Sequence, residues 1–475
     1  MLFNSLQYFI FFILVLVGAR LLQDKAGFSW RTLFLLVASY VFYISNNGWL
    51  VLLILASTGV DFLAGRCIDQ ARSSKLKKVA LVSSVVVNLS ILGYYKYIDF
   101  LRESISAVAL GWGFELSWVD LNVVLPVGIS FYTFQSMSYT IDVYRGEIPA
   151  ERSFLKFAFY VAYFPQLIAG PIMRASYFMP QIERAHRLEL KDVEQGVFLI
   201  MRGLFKKIVL ADFLALYADV AFSLGDEVSS TDLLIGLYAF TLQIYFDFSG
   251  YTDIAIGSSR LLGYRIPDNF NRPYAATGFS DFWQRWHISL SSWLRDYLYI
   301  SLGGNRRGTI FTYRNLMLTM LLGGLWHGAG WQFIVWGLMH GVYLIAERFA
   351  GWADRKPVAL YDKLLRRLII FHCIALTWIP FRSASLEDAY EYVVRLLAFE
   401  GSLEVSRGMA AVLVVTVAAL ALQWLCDLKS ELRERVSSLL LNQAYQRKMA
   451  LYGGLAIVIV IANAGGAQPF IYFQF

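Results

Sequence analysis

Apolar windows long enough to cross a lipid bilayer recur from one end of this chain to the other. They run from Leu6 to Leu22, then at about 32–45, 48–66, 79–96, 233–262, 368–382, 407–426 and 449–464. A hydrocarbon core needs roughly 17–25 predominantly apolar residues per helical crossing, and these windows reach that length or come within a few residues of it, so they are read as membrane spans. Backbone groups in lipid must be satisfied within the protein, which favours helices; barrel strands would be shorter and alternating, and no such pattern occurs. The expectation is an all-α polytopic membrane protein. Composition agrees: of 475 residues, 57% are hydrophobic and only 16% charged, against about 25% charged in soluble domains. The run Leu6 to Leu22 lacks a basic leader and a small-residue cleavage site, so it is read as a first span.

The net charge of +7 is modest, and no nucleic-acid motif accompanies it. Cys67, Cys373 and Cys426 are isolated, without CxxC or metal-ligand spacing, so neither a disulfide framework nor a metal site is expected. Basic residues set the orientation. Arg20, Lys25 and Arg31 follow the first span, Arg72, Lys75, Lys77 and Lys78 the third. Arg355, Lys356, Lys363, Arg366 and Arg367 mark another inside loop, as do Lys429, Arg433 and Arg435. The segment joining spans 368–382 and 407–426 lies outside, with a helix at about 386–398.

The middle of the chain is less regular. LPVGISFYTFQSMSYTIDVYRG, from Leu125, carries Pro126 and Gly128, and AYFPQLIAGPIMR, from Ala162, carries two prolines and a glycine. Proline interrupts a helix, and such breaks survive at membrane depth only where protein or a water-filled cavity satisfies the freed backbone. The expected architecture is one domain over 1–475, with broken or re-entrant helices around a central tunnel at about 120–350 and interfacial amphipathic helices. Asp247 and Asp253 lie in the span near 233–262, where a carboxylate either lines a cavity or pairs with Arg202, Lys206 or Lys207.

Three of the five histidines, His287, His327 and His340, fall between Asp281 and Gly341. Placed on one helix, Phe282 to Tyr299 gathers Phe282, Trp286, Leu290, Trp293, Leu294 and Tyr297 on an apolar stripe, with His287 at its edge. That pattern predicts an amphipathic helix lying in the membrane interface. GGNRRG follows, whose Arg306 and Arg307 could hold an anionic donor or simply meet headgroups. An apolar run then ends at Trp326–His327–Gly328–Ala329–Gly330. A neutral imidazole there can take a proton from an attacking hydroxyl; the alternative is a tautomer-locked structural histidine. There is no GxSxG elbow, so direct transfer suits these residues better than a stable acyl-enzyme. His340 is read as structural, and His186 and His372 have no supporting context.

RWHISLSSWLRDYLYISLGGNRRG and LGGLWHGAGWQFIVWGLMHG resemble the signature regions of membrane-bound O-acyltransferases, specifically the bacterial alginate O-acetyltransferase branch. The likeness extends to LFLLVASYVFY, FPQLIAGPIMR and IYFDFSGYTDIAIG, and weakens after about Arg348. It implies that His327 is the catalytic histidine and His287 the second functional position, both inside a membrane-embedded tunnel. Trp326, Arg295, Asp296, Asn305, Arg306 and Arg307 are the candidate substrate contacts. The resemblance further implies a bacterial inner-membrane enzyme with no bound cofactor that takes acetyl from a cytoplasmic donor, acetyl-CoA. The acetyl group would pass to hydroxyls of an exported, alginate-like polysaccharide, directly or through a periplasmic or membrane-anchored SGNH-type acetyltransferase. Cellulose or peptidoglycan acetylation would use the same chemistry. A membrane transporter or a non-catalytic scaffold are the readings from other classes.

Overall fold

A computed structural model describes the chain except residues 26–27, 119–120, 122, 184–187, 226, 353–354, 356, 358, 400, 402–404, 429–444, 463–467 and 472–475, and the side chains of 23–29 and 445–450. His186, Lys356, Lys429, Arg433 and Arg435 therefore lie outside the described residues. Among those described, every regular element is helical. Helical stretches at Trp30–Gln70, Ser74–Gly111, Ser230–Leu261, Leu360–Arg382 and Arg407–Leu428 are long and apolar enough to cross a membrane, with shorter apolar helices at Leu6–Leu22 and Leu451–Ala462. The chain forms two compact units, Met1–Val197 with Ala255–Pro267, and Phe198–Ile254 with Asp268–Phe475.

The first unit begins with α1 (Leu6–Lys25), α2 (Phe28–Asn47), α3 (Val51–Gln70) and α4 (Ser74–Leu92). A π-helical turn leads to α5 (Ile98–Gly111). The faces that α1, α2 and α4 turn outward carry Ile13, Leu14, Val37 and Val86, all exposed. That inversion of the soluble pattern is what a lipid solvent permits.

The expected breaks are present, and protein atoms satisfy them. Gly128 adopts φ 82°, and a Cβ there would stand 2.7 Å from the Leu167 carbonyl oxygen, so the chain enters α6 (Ile129–Arg145) on a residue only glycine fits. α6 is buried along nearly its whole length. The proline-rich stretch gives α7 (Phe154–Ala162), a sharp turn at Tyr163, a single turn α8 (Phe164–Leu167), and then α9 (Ala175–Ile182). Ser39 Oγ accepts from Phe164 N at 3.2 Å, Gln135 Nε2 donates to Tyr160 O at 2.6 Å, and Tyr160 OH donates to Met173 O at 2.9 Å. Side chains thus replace the hydrogen bonds that the broken helix cannot make.

α10 (Leu190–Leu204) runs into a π-helical turn, Phe205–Ala211, before α11 (Asp212–Phe222) and the long α12 (Ser230–Leu261). In the second unit the two intramembrane carboxylates take the structural role. Arg202 grips both oxygens of Asp253 at 2.8 and 2.6 Å, and Lys206 adds a contact at 2.7 Å. Lys207 bridges Asp247 at 2.7 Å and Asp212 at 2.9 Å. The π-helical turn sets Lys206 and Lys207 toward different acids, an arrangement in keeping with the cost of a lone charge at this depth.

α13 (Phe279–Arg285), α14 (Ile288–Trp293) and a π-helical turn Leu294–Tyr299 follow. The single amphipathic helix expected over 282–299 is therefore interrupted at Trp286–His287. Its apolar stripe is nonetheless right: Phe282, Trp286, Leu290, Trp293, Leu294 and Tyr297 are all buried. α15 (Thr309–His327) and α16 (Trp331–Phe349) form a tight antiparallel pair, followed by α17 (Leu360–Arg382), α18 (Leu386–Ala398) and α19 (Arg407–Leu428). α18, expected at about 386–398, starts with a capping box of Ser385 and Asp388.

Candidate active site

The break between α13 and α14 is held from outside the helices. Asn271 N donates to Arg285 O at 2.9 Å and Ile288 N to Asn269 O at 3.0 Å, so the segment 269–271 pins both sides of the interruption. His287 sits in the break at φ 42°, ψ 54°, a left-handed conformation rare for a residue with a Cβ. Such a backbone persists only where its surroundings impose it.

The same asparagine orients the imidazole. Asn269 Oδ1 receives Ser289 N at 3.1 Å and Ser289 Oγ at 2.9 Å, and it faces His287 Nδ1 at 3.2 Å. A backbone N–H can only donate, so the asparagine atom there is the oxygen, and His287 Nδ1 carries its proton. Nε2 is then the basic nitrogen. The ring is fully buried, edge-on to Phe248 at 4.8 Å. Burial pushes its imidazole down to about 3, so it is neutral at ordinary pH.

His327 is the last residue of α15. Glycines bring α15 and α16 backbone to backbone around it. A Cβ on Gly324 would stand 2.2 Å from Phe333 O, one on Gly337 2.4 Å from Met320 O, and one on Gly328 2.0 Å from the Phe333 ring. The His327 ring is 5% exposed, within 5.0 Å of Trp326 and of Trp336 and 5.4 Å of Phe381, centroid to centroid. Trp326 is also 6.1 Å from His287, so one indole lies near both candidate histidines. The result is two imidazoles in an aromatic enclosure, the setting in which a neutral histidine acts as a base in a low-dielectric site.

Similarity to known proteins bears on the chemistry. Residues 147–363 match the model of the membrane-bound O-acyltransferase family, a stretch that contains both histidines. A probable alginate O-acetylase of Azotobacter vinelandii is 44% identical over 402 residues, covering 84% of this chain and 78% of its own length. A peptidoglycan O-acetyltransferase of Helicobacter pylori is 36% identical, covering 84% of this chain and 80% of its own length. The chain belongs to the membrane-bound O-acyltransferase family. A teichoic acid D-alanyltransferase of Bacillus subtilis is more distant, 27% identical over 53% of this chain and 67% of its own length. The protein is accordingly a multi-pass membrane O-acyltransferase of the bacterial alginate O-acetylase-like branch.

Within this O-acyltransferase, the structure groups His287, Trp326 and His327, and sets the other candidates apart. Arg295 pairs with its neighbour Asp296 at 2.7 Å and is largely exposed. Asn305, Arg306 and Arg307 occupy an exposed turn before α15, whereas His327 ends that helix, so about 27 Å of helix axis lies between. The GGNRRG turn depends on its glycines: Gly303, Gly304 and Gly308 have φ 109°, 57° and 90°. Asn315 Nδ2 donates to Gly304 O at 2.8 Å and anchors it.

His340 is fully buried, stacked on Phe282 and 4.5 Å from Trp336, and His372 lies outside the cluster, where its Nε2 meets Tyr238 OH at 3.0 Å. Sequence reasoning missed Asn269 and the enclosing Trp336, Trp378 and Phe381. Trp378 and Phe381 lie on α17, brought in only by tertiary packing; Asn269, between Pro267 and Phe270, was a polar residue next to a break and could have been marked. The basic residues of the inside loop after α16 also come together in space. Arg285, Arg355, Lys363, Arg366 and Arg367 line an open cavity of about 460 Å³ together with Asp281, Glu347 and Asp427. Arg285 there bonds Asp281 at 2.6 Å and Asp427 at 2.8 Å, and Ser280 N and Oγ donate to Glu347 at 2.8 and 2.6 Å, which steadies α13.

Proposed function

We propose that this enzyme transfers acetyl groups to hydroxyls of an exported polysaccharide from the bacterial inner membrane. The observation that carries this reading is the placement of His327 and His287 beside the same Trp326 ring, in a chain whose similar relatives include probable alginate O-acetylases and a peptidoglycan O-acetyltransferase. The donor is a cytoplasmic thioester of the acetyl-CoA class. Its anionic part meets basic residues on the inside face, either Arg306 and Arg307 or the cavity around Arg366. The acceptor is the glycan itself or a hydroxyl of a periplasmic or membrane-anchored SGNH-type acetyltransferase.

In the transfer, the neutral His327 imidazole takes the proton of the acceptor hydroxyl as that oxygen attacks the thioester carbonyl carbon. The tetrahedral intermediate collapses with cleavage of the C–S bond. The imidazolium returns its proton to the leaving thiolate, so the products are an O-acetyl ester and a free thiol. His287, with its proton committed to Asn269, offers Nε2 to orient the acceptor. The aromatic enclosure excludes water, which would otherwise hydrolyse the thioester. The pairing of Asp247 and Asp253 with cations leaves little support for a transporter that binds solute through them.

The test is His327→Ala at wild-type membrane abundance. Acetylation of the cell's exported polysaccharide is expected to fall at least about a hundredfold; undiminished acetylation would remove His327 from catalysis.

A further inference from the structure

Away from the acyl-transfer residues, the first unit carries a groove whose chemistry has a different use. It measures about 280 Å³ and is lined by Leu16, Ala19, Leu188, Val193, Leu261 and Leu262, with Arg20 and Arg31 at its margin. The lining is otherwise aliphatic, and the two guanidiniums are its charged groups.

Arg31 is the unusual member. It is 7% exposed, donates to Tyr264 OH at 2.7 Å and to the Leu262 carbonyl, and its guanidinium lies over the Tyr264 ring at 5.1 Å. These partners are neutral. Among the described residues no carboxylate comes within ion-pair distance of it, and its Nε has no hydrogen-bond partner. A buried cation in that state is costly, and an anion completes it. Arg20 is exposed at the same groove. Both arginines belong to the inside loop by the distribution of basic residues, where the leaflet carries anionic headgroups.

We infer that this groove binds an anionic phospholipid, its phosphodiester between Arg20 and Arg31 and an acyl chain along the leucines. An aliphatic trough beside two guanidiniums matches an amphiphile with one anionic end. A free phosphate would leave the trough unused, and a zwitterionic lipid brings its own cation toward two others. Tyr264 and the Leu262 carbonyl hold the Arg31 guanidinium, so its charge has a fixed place at the groove. The bound lipid tethers α1 to α2 and to the Leu261–Leu262 end of α12.

The inference is tested on the full-length protein, purified and delipidated in neutral detergent, by native mass spectrometry. The probes are phosphatidylglycerol, phosphatidylcholine with the same acyl chains, and inorganic phosphate. The first phosphatidylglycerol is expected to bind on the order of tenfold more tightly than phosphatidylcholine, since each basic side chain near a headgroup favours the anion several-fold. Arg20→Gln removes a charge at the groove margin and is expected to erase most of that preference. Arg31→Lys keeps the charge but loses the bonds to Tyr264 and Leu262 that fix its position, and is expected to weaken binding several-fold. Arg152→Gln, an exposed arginine elsewhere in the unit, is expected to leave it unchanged. Equal binding of the two lipids, an unaffected Arg20→Gln protein, or inorganic phosphate binding as tightly as the lipid would overturn the assignment.

Discussion

Asn269 presents one side-chain oxygen to three donors at once, and one of them is Nδ1 of His287, 3.2 Å away. The other two come from Ser289, two residues further along, so a single amide fixes both the ring and the backbone break in which the ring sits. This makes the tautomer of His287 a property of the fold rather than of the substrate.

Removing that oxygen is expected to separate binding from chemistry. Asn269→Ala frees the imidazole to change tautomer and is expected to lower the transfer rate roughly tenfold or more with a smaller change in apparent donor KM. Asn269→Asp keeps the acceptor and adds a negative charge. That charge favours the imidazolium, raising the His287 pKa from about 3. The protonated ring has no free Nε2 lone pair, so activity of this variant is expected to fall as pH drops through the raised pKa. The wild-type profile is expected to show no such limb from His287 above pH 5. Steady-state rates of acetyl transfer between pH 5 and 9 distinguish the two; an unchanged profile in Asn269→Asp would refute the coupling.

His340 supplies the contrast. Its ring lies against Phe282, Trp283 and Trp336, and neither nitrogen has a hydrogen-bond partner among the described residues. His340→Phe retains a flat ring and discards two buried polar atoms, so stability is expected to change by no more than about 1 kcal/mol. Acetylation is expected to remain within a few-fold of wild type. A loss as deep as that of His327→Ala would place His340 in the reaction.

The α15–α16 pairing tolerates no side chain at its closest approach. A Cβ on Gly337 would meet Met320 O at 2.4 Å, a backbone atom that cannot swing away. Gly337→Ala is expected to destabilise the protein by roughly 1–3 kcal/mol and to reduce transfer by shifting His327. Gly59→Ala, where a Cβ meets nothing within 4 Å, is the control. Thermal unfolding in detergent, read beside activity, checks both; equal melting temperatures for the two variants would count against the packing argument.

Asp253 holds two cations, Arg202 and Lys206, and is itself 5% exposed. Asp253→Ala leaves them without their acid and is expected to cost about 3–5 kcal/mol, seen as a lower melting temperature and reduced membrane abundance. Replacing Arg202 and Lys206 by Gln in that background should recover part of the loss. No recovery would mean that Asp253 stabilises the unit by another route.

Much of the architecture was legible before any coordinates. Span-length apolar runs dictate helices because lipid offers the backbone no partners, and the prolines at 165 and 171 mark breaks for the same reason. The stripe Phe282–Tyr297 was found by its period, and all six of its residues are buried. The same period hid the interruption at His287, because a break of two residues preserves the side on which each apolar residue falls. What stops the helix is the pair of backbone hydrogen bonds from segment 269–271, a long-range contact with no local signature.

Local sequence therefore determined that this is a helical membrane protein, where proline breaks its helices, and that His287, Trp326 and His327 merit attention. Residue type and spacing suffice for that, since helix formation and membrane insertion respond to runs of neighbouring residues. Tertiary structure alone decided which histidine is oriented and by whom. Asn269 reaches His287 across 18 residues, and Phe381 joins the enclosure of His327 from a helix 54 residues further on. The length of α15 alone keeps Arg306 and Arg307 at the far end from His327, because a helix that joins two residues holds them apart by its own length.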